Sequence, residues 1–233
     1  MMNRNDVLNE LKLAPLWRLR RQPATPTPAT TSDDGARRAR IAALALDALI
    51  DDIARCTACA LCRTRRMTVP GVGGADAQWM FIGEAPGADE DAQGEPFVGA
   101  AGQLLDNMLG ALGLERSRDV YIANVLKCRP PNNRTPEPGE ALACAPYLDR
   151  QIDLVAPRLI VALGRSAASR LLGSDAPVSS LRNRVHRYRD TPLIVTYHPA
   201  YLLRTPADKA KAWEDLLFAR RTLRELATRP ATG

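Results

Sequence analysis

The sequence predicts an α/β fold, a parallel sheet carrying helices on both faces, and three observations lead there. Four short apolar runs, Trp79-Met80-Phe81-Ile82, Val120-Tyr121-Ile122-Ala123, Leu159-Ile160-Val161-Ala162-Leu163 and Leu193-Ile194-Val195-Thr196-Tyr197, have strand length and are rich in β-branched residues. Helix-compatible sequence separates each run from the next, and that alternation argues for parallel strands joined by helical crossovers. The composition, 45% hydrophobic and 25% charged over 233 residues, suits one domain with a sizeable core and extra chain at its ends.

From the N-terminus, residues 1–22 set Val7, Leu8, Leu11, Leu13, Leu16 and Trp17 among Arg18, Arg20 and Arg21, the pattern of a short amphipathic helix. Gln22 to Asp34 is rich in Pro, Thr and Ala and reads as an extended, unfolded linker. Residues 1–40 are thus expected to be a largely disordered tail, and residues 41–228 the folded domain. Leu16-Trp17 reads as a frayed terminus in preference to a docking peptide for a protein partner. Ile41, Leu44, Leu46, Leu49, Ile50 and Ile53 predict one helix from Ala36 to Arg55, which delivers the chain into Cys56. A Pro70 to Gly74 turn precedes the first strand, about residues 79–83. Helices are expected at about 101–113, 138–153, 165–172 and 208–227.

No run approaches the ~18 apolar residues of a membrane span, and no apolar export segment precedes the domain. A cytoplasmic protein without membrane contact is the expectation. A net charge of +6 makes nucleic acid a plausible partner on weak grounds.

Polar residues gather at the predicted strand ends. The first strand runs into Gly83-Glu84-Ala85-Pro86-Gly87, opening a long connection that also holds Gly94-Glu95-Pro96-Phe97-Val98-Gly99. A connection of that length inside a compact domain is usually functional or disordered, and strand carboxyl ends are where open α/β sheets hold ligands. The second strand ends at Asn124 and the fourth at His198-Pro199. In a parallel sheet Glu84, Asn124 and His198 converge at one edge. His198 is one of two histidines, and the following proline fixes the backbone that aims its ring.

The five cysteines are Cys56, Cys59, Cys62, Cys128 and Cys144. An odd count without an export signal argues for a metal in place of a disulfide framework. Four thiolates suit zinc and suit an iron–sulfur cluster, and spacing alone does not separate the two. Nor does it force Cys56 and Cys59 over Cys62.

Gly83 to Gly87, Gly94 to Gly99, Lys127-Cys128-Arg129-Pro130-Pro131-Asn132-Asn133-Arg134 and His198 to Arg204 strongly resemble the family 4 uracil-DNA glycosylases, the bacterial and archaeal enzymes that carry a 4Fe–4S cluster. The resemblance covers roughly residues 45–225. It implies a three-layer α/β/α sandwich around a four-stranded parallel sheet, with Cys56, Cys59, Cys128 and Cys144 holding the cluster. It further implies a DNA-repair enzyme, a monomer, acting on uracil in single- or double-stranded DNA. Flipped uracil would stack on Phe97 and be read by Asn124, whose amide matches uracil and mismatches cytosine. His198 would donate to the uracil oxygen that gains charge. Ala85 stands where the best-known relatives carry a water-activating Asp, so Glu84, with Asp91 in reserve, is assigned the water. Gly87 replaces their methyl-excluding Tyr, and Glu90 is assigned that wall. Leu202-Leu203 resemble the wedge that fills the vacated stack. Arg204, Lys127, Arg129 and Arg134 would meet phosphates. Relatives that trap the abasic site covalently use a His in an insertion after the second strand, and residues 125–136 contain none.

Overall fold

The computed structural model describes Glu10 and residues 31–228. The amphipathic helix expected in residues 1–22, with Leu16-Trp17, lies outside the described residues apart from Glu10, as does the linker up to residue 30. The chain divides into two compact units, residues 1–36 and 37–233.

The single helix expected from Ala36 to Arg55 is two: α1 (Thr31–Ala42) and α2 (Leu46–Ala54). The break has a local cause, because the Leu44 carbonyl is taken by the Arg150 guanidinium at 2.8 Å instead of a helical N–H. Helix α1 also starts inside the stretch expected to be unfolded linker, which therefore stops short of Thr31. Ile41, Leu49 and Ile53 then pack on Tyr147 in a small core of their own. A 3-10 turn at Ala60–Arg63 follows the first cysteines.

The remaining strands and α-helices are β1 (Val72–Gly73), β2 (Trp79–Gly83), α3 (Ala88–Gln93), α4 (Ala100–Leu112), β3 (Val120–Asn124), α5 (Pro138–Val155), β4 (Leu159–Leu163), α6 (Arg165–Leu172), α7 (Val178–Leu181), β5 (His186–Tyr188), β6 (Thr191–Thr196), α8 (Pro199–Arg204) and α9 (Lys209–Thr228). They form one α/β sheet of six strands in the order β1-β3-β2-β4-β6-β5. The expectation of four parallel strands needs correcting. Strands β3, β2, β4 and β6 pair in parallel, and β1 and β5 add short antiparallel edges. Two or three residues, none of them buried, are too few to show strand periodicity, so these edges left no pattern in the sequence.

The central strands β2, β3 and β4 are buried along their whole length, as expected of a sheet covered on both faces. Their alternation divides two cores. Met80, Ile82, Tyr121, Ala123, Ile160 and Ala162 face α5 and α6. Phe81, Ile122, Val161, Leu163 and Ile194 face α4 and α9. Order reverses at β2, which has β3 on one side and β4 on the other, so the carboxyl ends open onto a crevice there.

Candidate active site and thiol cavity

Residues from these strand ends line one cleft of about 790 Å³, a volume in the range of small-molecule sites. Glu84, Phe97, Asn124 and His198 all line it, as do Ala85, Gly87 and Glu90.

Glycines create the close approach. In the β2–β3 register Gly83 is opposite Asn124, and a Cβ added at Gly83 would collide with Asn124 Oδ1 and lie 2.6 Å from Phe97 Cζ. Only hydrogen there lets both side chains lie across the strand end. Asn124 is 2% exposed, and its Oδ1 has no hydrogen-bond partner. A buried acceptor left unpaired costs free energy, so it marks a place where a ligand donor belongs.

Phe97 holds a left-handed backbone, φ 57°, which a bulky residue adopts at a cost. Its surroundings enforce it. Arg116 donates to the Phe97 carbonyl at 3.2 Å and to the Pro96 carbonyl, and is itself paired with Asp106 at 2.9 Å. Helix α4 presses on the same carbonyl, where any Cβ at Gly102 would collide.

The Phe97 ring stacks on His198, with centroids 5.5 Å apart and planes at 29°. His198 caps α8, its Nδ1 accepting from the Ala200 N–H at 3.1 Å. Nδ1 therefore carries no proton, and the neutral ring bears its proton on Nε2. Burial, and then the Arg204 guanidinium, push the imidazole down to about 4. Gly164, at φ 85°, gives the ring its seat, since a Cβ there would lie 2.9 Å from His198 Cβ.

The three carboxylates assigned to water and wall stand in different positions. Glu84 lines the cleft and accepts from Ser166 Oγ in the first turn of α6. Glu90 accepts from the N–H groups of Gly87 at 3.0 Å, Val98 at 2.9 Å and Gly99 at 3.0 Å, tying α3 to the start of α4. Its Oε2 lies 2.6 Å from where a Cβ at Gly87 would be, so it occupies the place a side chain there would enter. Asp91 is not brought to the cleft. It is 2% exposed and accepts from the Arg66 N–H at 2.9 Å.

Several residues expected on DNA are placed elsewhere. Lys127 is 1% exposed, and burial pushes its ammonium down to about 8. Its Nζ donates to the Asn124 carbonyl at 2.7 Å, so it cannot reach a phosphate. Leu202 is 1% exposed and belongs to the interior, whereas its neighbour Leu203 is 42% exposed. Arg134 lines the cleft but grips Glu140 through two bonds of 2.9 and 2.6 Å. Arg129 donates to Asn133 Oδ1 at 2.7 Å, and Arg204 lines the cleft.

A second, smaller cavity is lined by all five cysteines, including Cys62, and each is a free thiol. Among the described residues no three His, Cys, Asp or Glu side chains converge as one small ion would require. Donors surround the sulfurs. Arg65 donates to Cys128 Sγ at 3.1 Å, Arg37 to Cys56 Sγ at 3.7 Å, and the Lys127 N–H to Cys144 Sγ at 3.4 Å. Burial pushes the Cys144 thiol up to about 12, so protein surroundings alone leave it protonated, whereas coordination would deprotonate it. Five thiols on one cavity, with cationic and N–H donors to their sulfurs, fit an anionic, thiolate-held inorganic core.

Residues 70–217 match the model of the uracil DNA glycosylase superfamily, in keeping with the α/β sheet. The chain is 44% identical over 194 residues to a type-4 uracil-DNA glycosylase of Sulfurisphaera tokodaii, covering 79% of this chain and 86% of the relative. It is 46% identical over 169 residues to that of Archaeoglobus fulgidus (69% and 84% covered), and 42% over 168 residues to that of Thermotoga maritima (71% and 87%). This chain belongs to the type-4 uracil-DNA glycosylases, a family of hydrolases of N-glycosyl bonds.

Sequence reasoning missed Ser166, Gly164 and Arg116. The first two follow β4 directly, so the strand-end logic that found Glu84, Asn124 and His198 would have reached them too. Arg116 left no signal, because the loop carbonyls it holds lie about twenty residues back and carry no residue signature.

Proposed function

We propose that this chain hydrolyses the N-glycosidic bond of uracil in DNA, releasing free uracil and leaving an abasic site, with residues 41–228 as the catalytic domain. One observation carries the reading most: the buried, unpartnered Asn124 Oδ1 in a cleft that Phe97 and His198 also line. Uracil rotated out of the stack would lie on Phe97. Asn124 Oδ1 would accept from N3–H while its amide nitrogen donates to O4, and cytosine offers the reverse order. A wrong base leaves buried polar groups unpaired, at ~1–3 kcal/mol each. The Glu90 carboxylate beside Gly87 is the wall we assign against a 5-methyl group.

As the bond from C1′ to N1 breaks, its electron pair leaves with the base and negative charge grows on O2. The Nε2–H of neutral His198 donates there, an arrangement that needs no reorganisation during the reaction. Water then attacks C1′, oriented by Glu84, whose other contact to Ser166 holds the carboxylate in place. The water's proton ends on the departing uracil. Asp91, turned away onto the Arg66 backbone, takes no part. Leu203 is the wedge, and Arg204 and Arg129 meet phosphates.

Cys56, Cys59, Cys128 and Cys144 would hold a 4Fe–4S cluster, whose contribution when bound would be a covalent tie between the stretch after α2, the stretch after β3 and helix α5. Donation from Arg65, Arg37 and the Lys127 N–H to three of the sulfurs supports such an anionic core. Iron and sulfide content, with the broad visible absorption of the cluster, tests this part.

Uracil release from single- and double-stranded oligonucleotides tests the activity. Release by the parent and a fall of about a hundredfold or more in His198→Ala are expected. Absence of release by folded, iron-loaded protein overturns the reading.

A further inference from the structure

A lysine with no part in the reaction stands between the cleft and the thiol cavity. Lysine is almost never fully buried unless paired, yet Lys127 is 1% exposed. The residue helps line the cavity of thiols, and its Nζ donates to the Asn124 carbonyl at 2.7 Å. Its backbone is held as well, the N–H by Cys144 Sγ at 3.4 Å and the carbonyl by the Val69 N–H at 2.8 Å. The chain between the two residues continues to pair with the end of β2, through Val125 N–H to the Gly83 carbonyl at 3.0 Å and Leu126 N–H to the Glu84 carbonyl at 3.1 Å. Asn124 Oδ1, in contrast, has no partner to orient it. The aim of that amide is set by packing against Gly83 and by the backbone whose carbonyl Lys127 grips.

We propose that Lys127 is a positioning residue: its ammonium ties the Asn124 backbone to the wall of the thiol cavity, so that the order of the cavity sets the aim of the base-reading amide. This rests on Asn124 reading uracil. The charge suits the place, because the Cys144 and Cys128 sulfurs, which ligation would make thiolates, and the Asp149 carboxylate all act on the ammonium, and the Asn124 carbonyl accepts from it. Removing the ammonium leaves that buried carbonyl unpaired and the end of β3 free to shift, and the loss falls on base recognition.

The experiment uses iron-loaded full-length protein carrying Lys127→Met, which keeps length and loses charge, and Lys127→Gln, which keeps a donor. Each is made in the parent and in Asn124→Ala. Iron content, melting temperature, KM, kcat and the affinity for free uracil are measured. Lys127→Met is expected to retain iron, to bind free uracil about tenfold more weakly and to lower kcat/KM about tenfold, with Lys127→Gln between it and the parent. In the Asn124→Ala background the same substitution should cost less than twofold, because the group it acts through is gone. Equal losses in both backgrounds, or Lys127→Met matching an active parent, overturn the proposal. So does loss of iron or folding in both substitutions, which assigns the lysine to the cavity alone. A parent that neither releases nor binds uracil overturns the reading of the cleft instead.

Discussion

An imidazole pushed down to about 4 is neutral across the whole neutral range, and the Ala200 N–H on Nδ1 leaves Nε2 as its donor. Since the neutral ring is the working form proposed here, single-turnover uracil release should stay level from pH 8 down to about 5, below the usual ~6.5 of histidine. An acid limb centred near 6.5 and absent in His198→Asn would contradict this. Stability follows the same linkage: the folded value lies below the unfolded one, so stability present above about 6.5 is lost as pH falls towards 4. Two adjacent leucines make a second test at this scale. Leu202 is buried and Leu203 exposed, so Leu202→Ala should cost about 2–4 kcal/mol of folding free energy, whereas Leu203→Ala should leave the melting temperature unchanged. The latter should weaken action on duplex more than on single strands. The sequence made the pair stand out but could not separate the two, because a short helix turns neighbouring side chains about 100° apart and only the packing says which one is inside.

Among the elements, the segment from α3 to α4 is fastened at several points. Glu90 collects three backbone N–H groups, and Arg116 holds two loop carbonyls from outside. Together they keep Phe97 at φ 57°. Arg116→Ala should lower stability by about 1–2 kcal/mol and kcat/KM about tenfold, mainly by raising KM, since the stacking face would no longer be preset. Steady-state kinetics and thermal melts on one preparation decide it; a fall in kcat alone would not fit. The sequence placed this segment as functional through its length and its glycines. Its fastening was not legible, because Arg116 reaches it from beyond α4 and Glu90 works on backbone groups that have no residue signature.

Over the whole molecule, the cleft and the thiol cavity lie on either side of one short stretch of chain, Asn124 to Cys128. Replacing Cys144, 7% exposed, by Ser should release the iron and lower the melting temperature, while the six-stranded sheet keeps its far-ultraviolet circular dichroism. Unchanged iron content would count against the ligand set. Charge is also distributed less freely than composition suggests. Arg134 is engaged by Glu140 and Lys127 is buried, so DNA affinity should depend on salt through fewer cations than the motifs offer. Arg204→Gln should reduce the slope of log affinity against log salt by about 0.9, and Arg134→Gln should barely change it. Equal reductions would contradict the placement of Arg134.

By itself the sequence determined the α/β class, the four parallel strands at the centre of the sheet, the strand ends where Glu84, Asn124 and His198 meet, and the family. The first three rest on periodicity and on residue types at element boundaries, which are local properties of a chain, and the family rests on the resemblance of separated motifs. The tertiary structure alone decided the edge strands, the burial of Leu202 and Lys127, the removal of Asp91 from the cleft, the gathering of Cys62 with the other thiols, and the roles of Gly83, Arg116 and Ser166. Each of these depends on which surfaces distant segments present to one another, and a side chain's neighbours across a sheet end are not written in its neighbours along the chain.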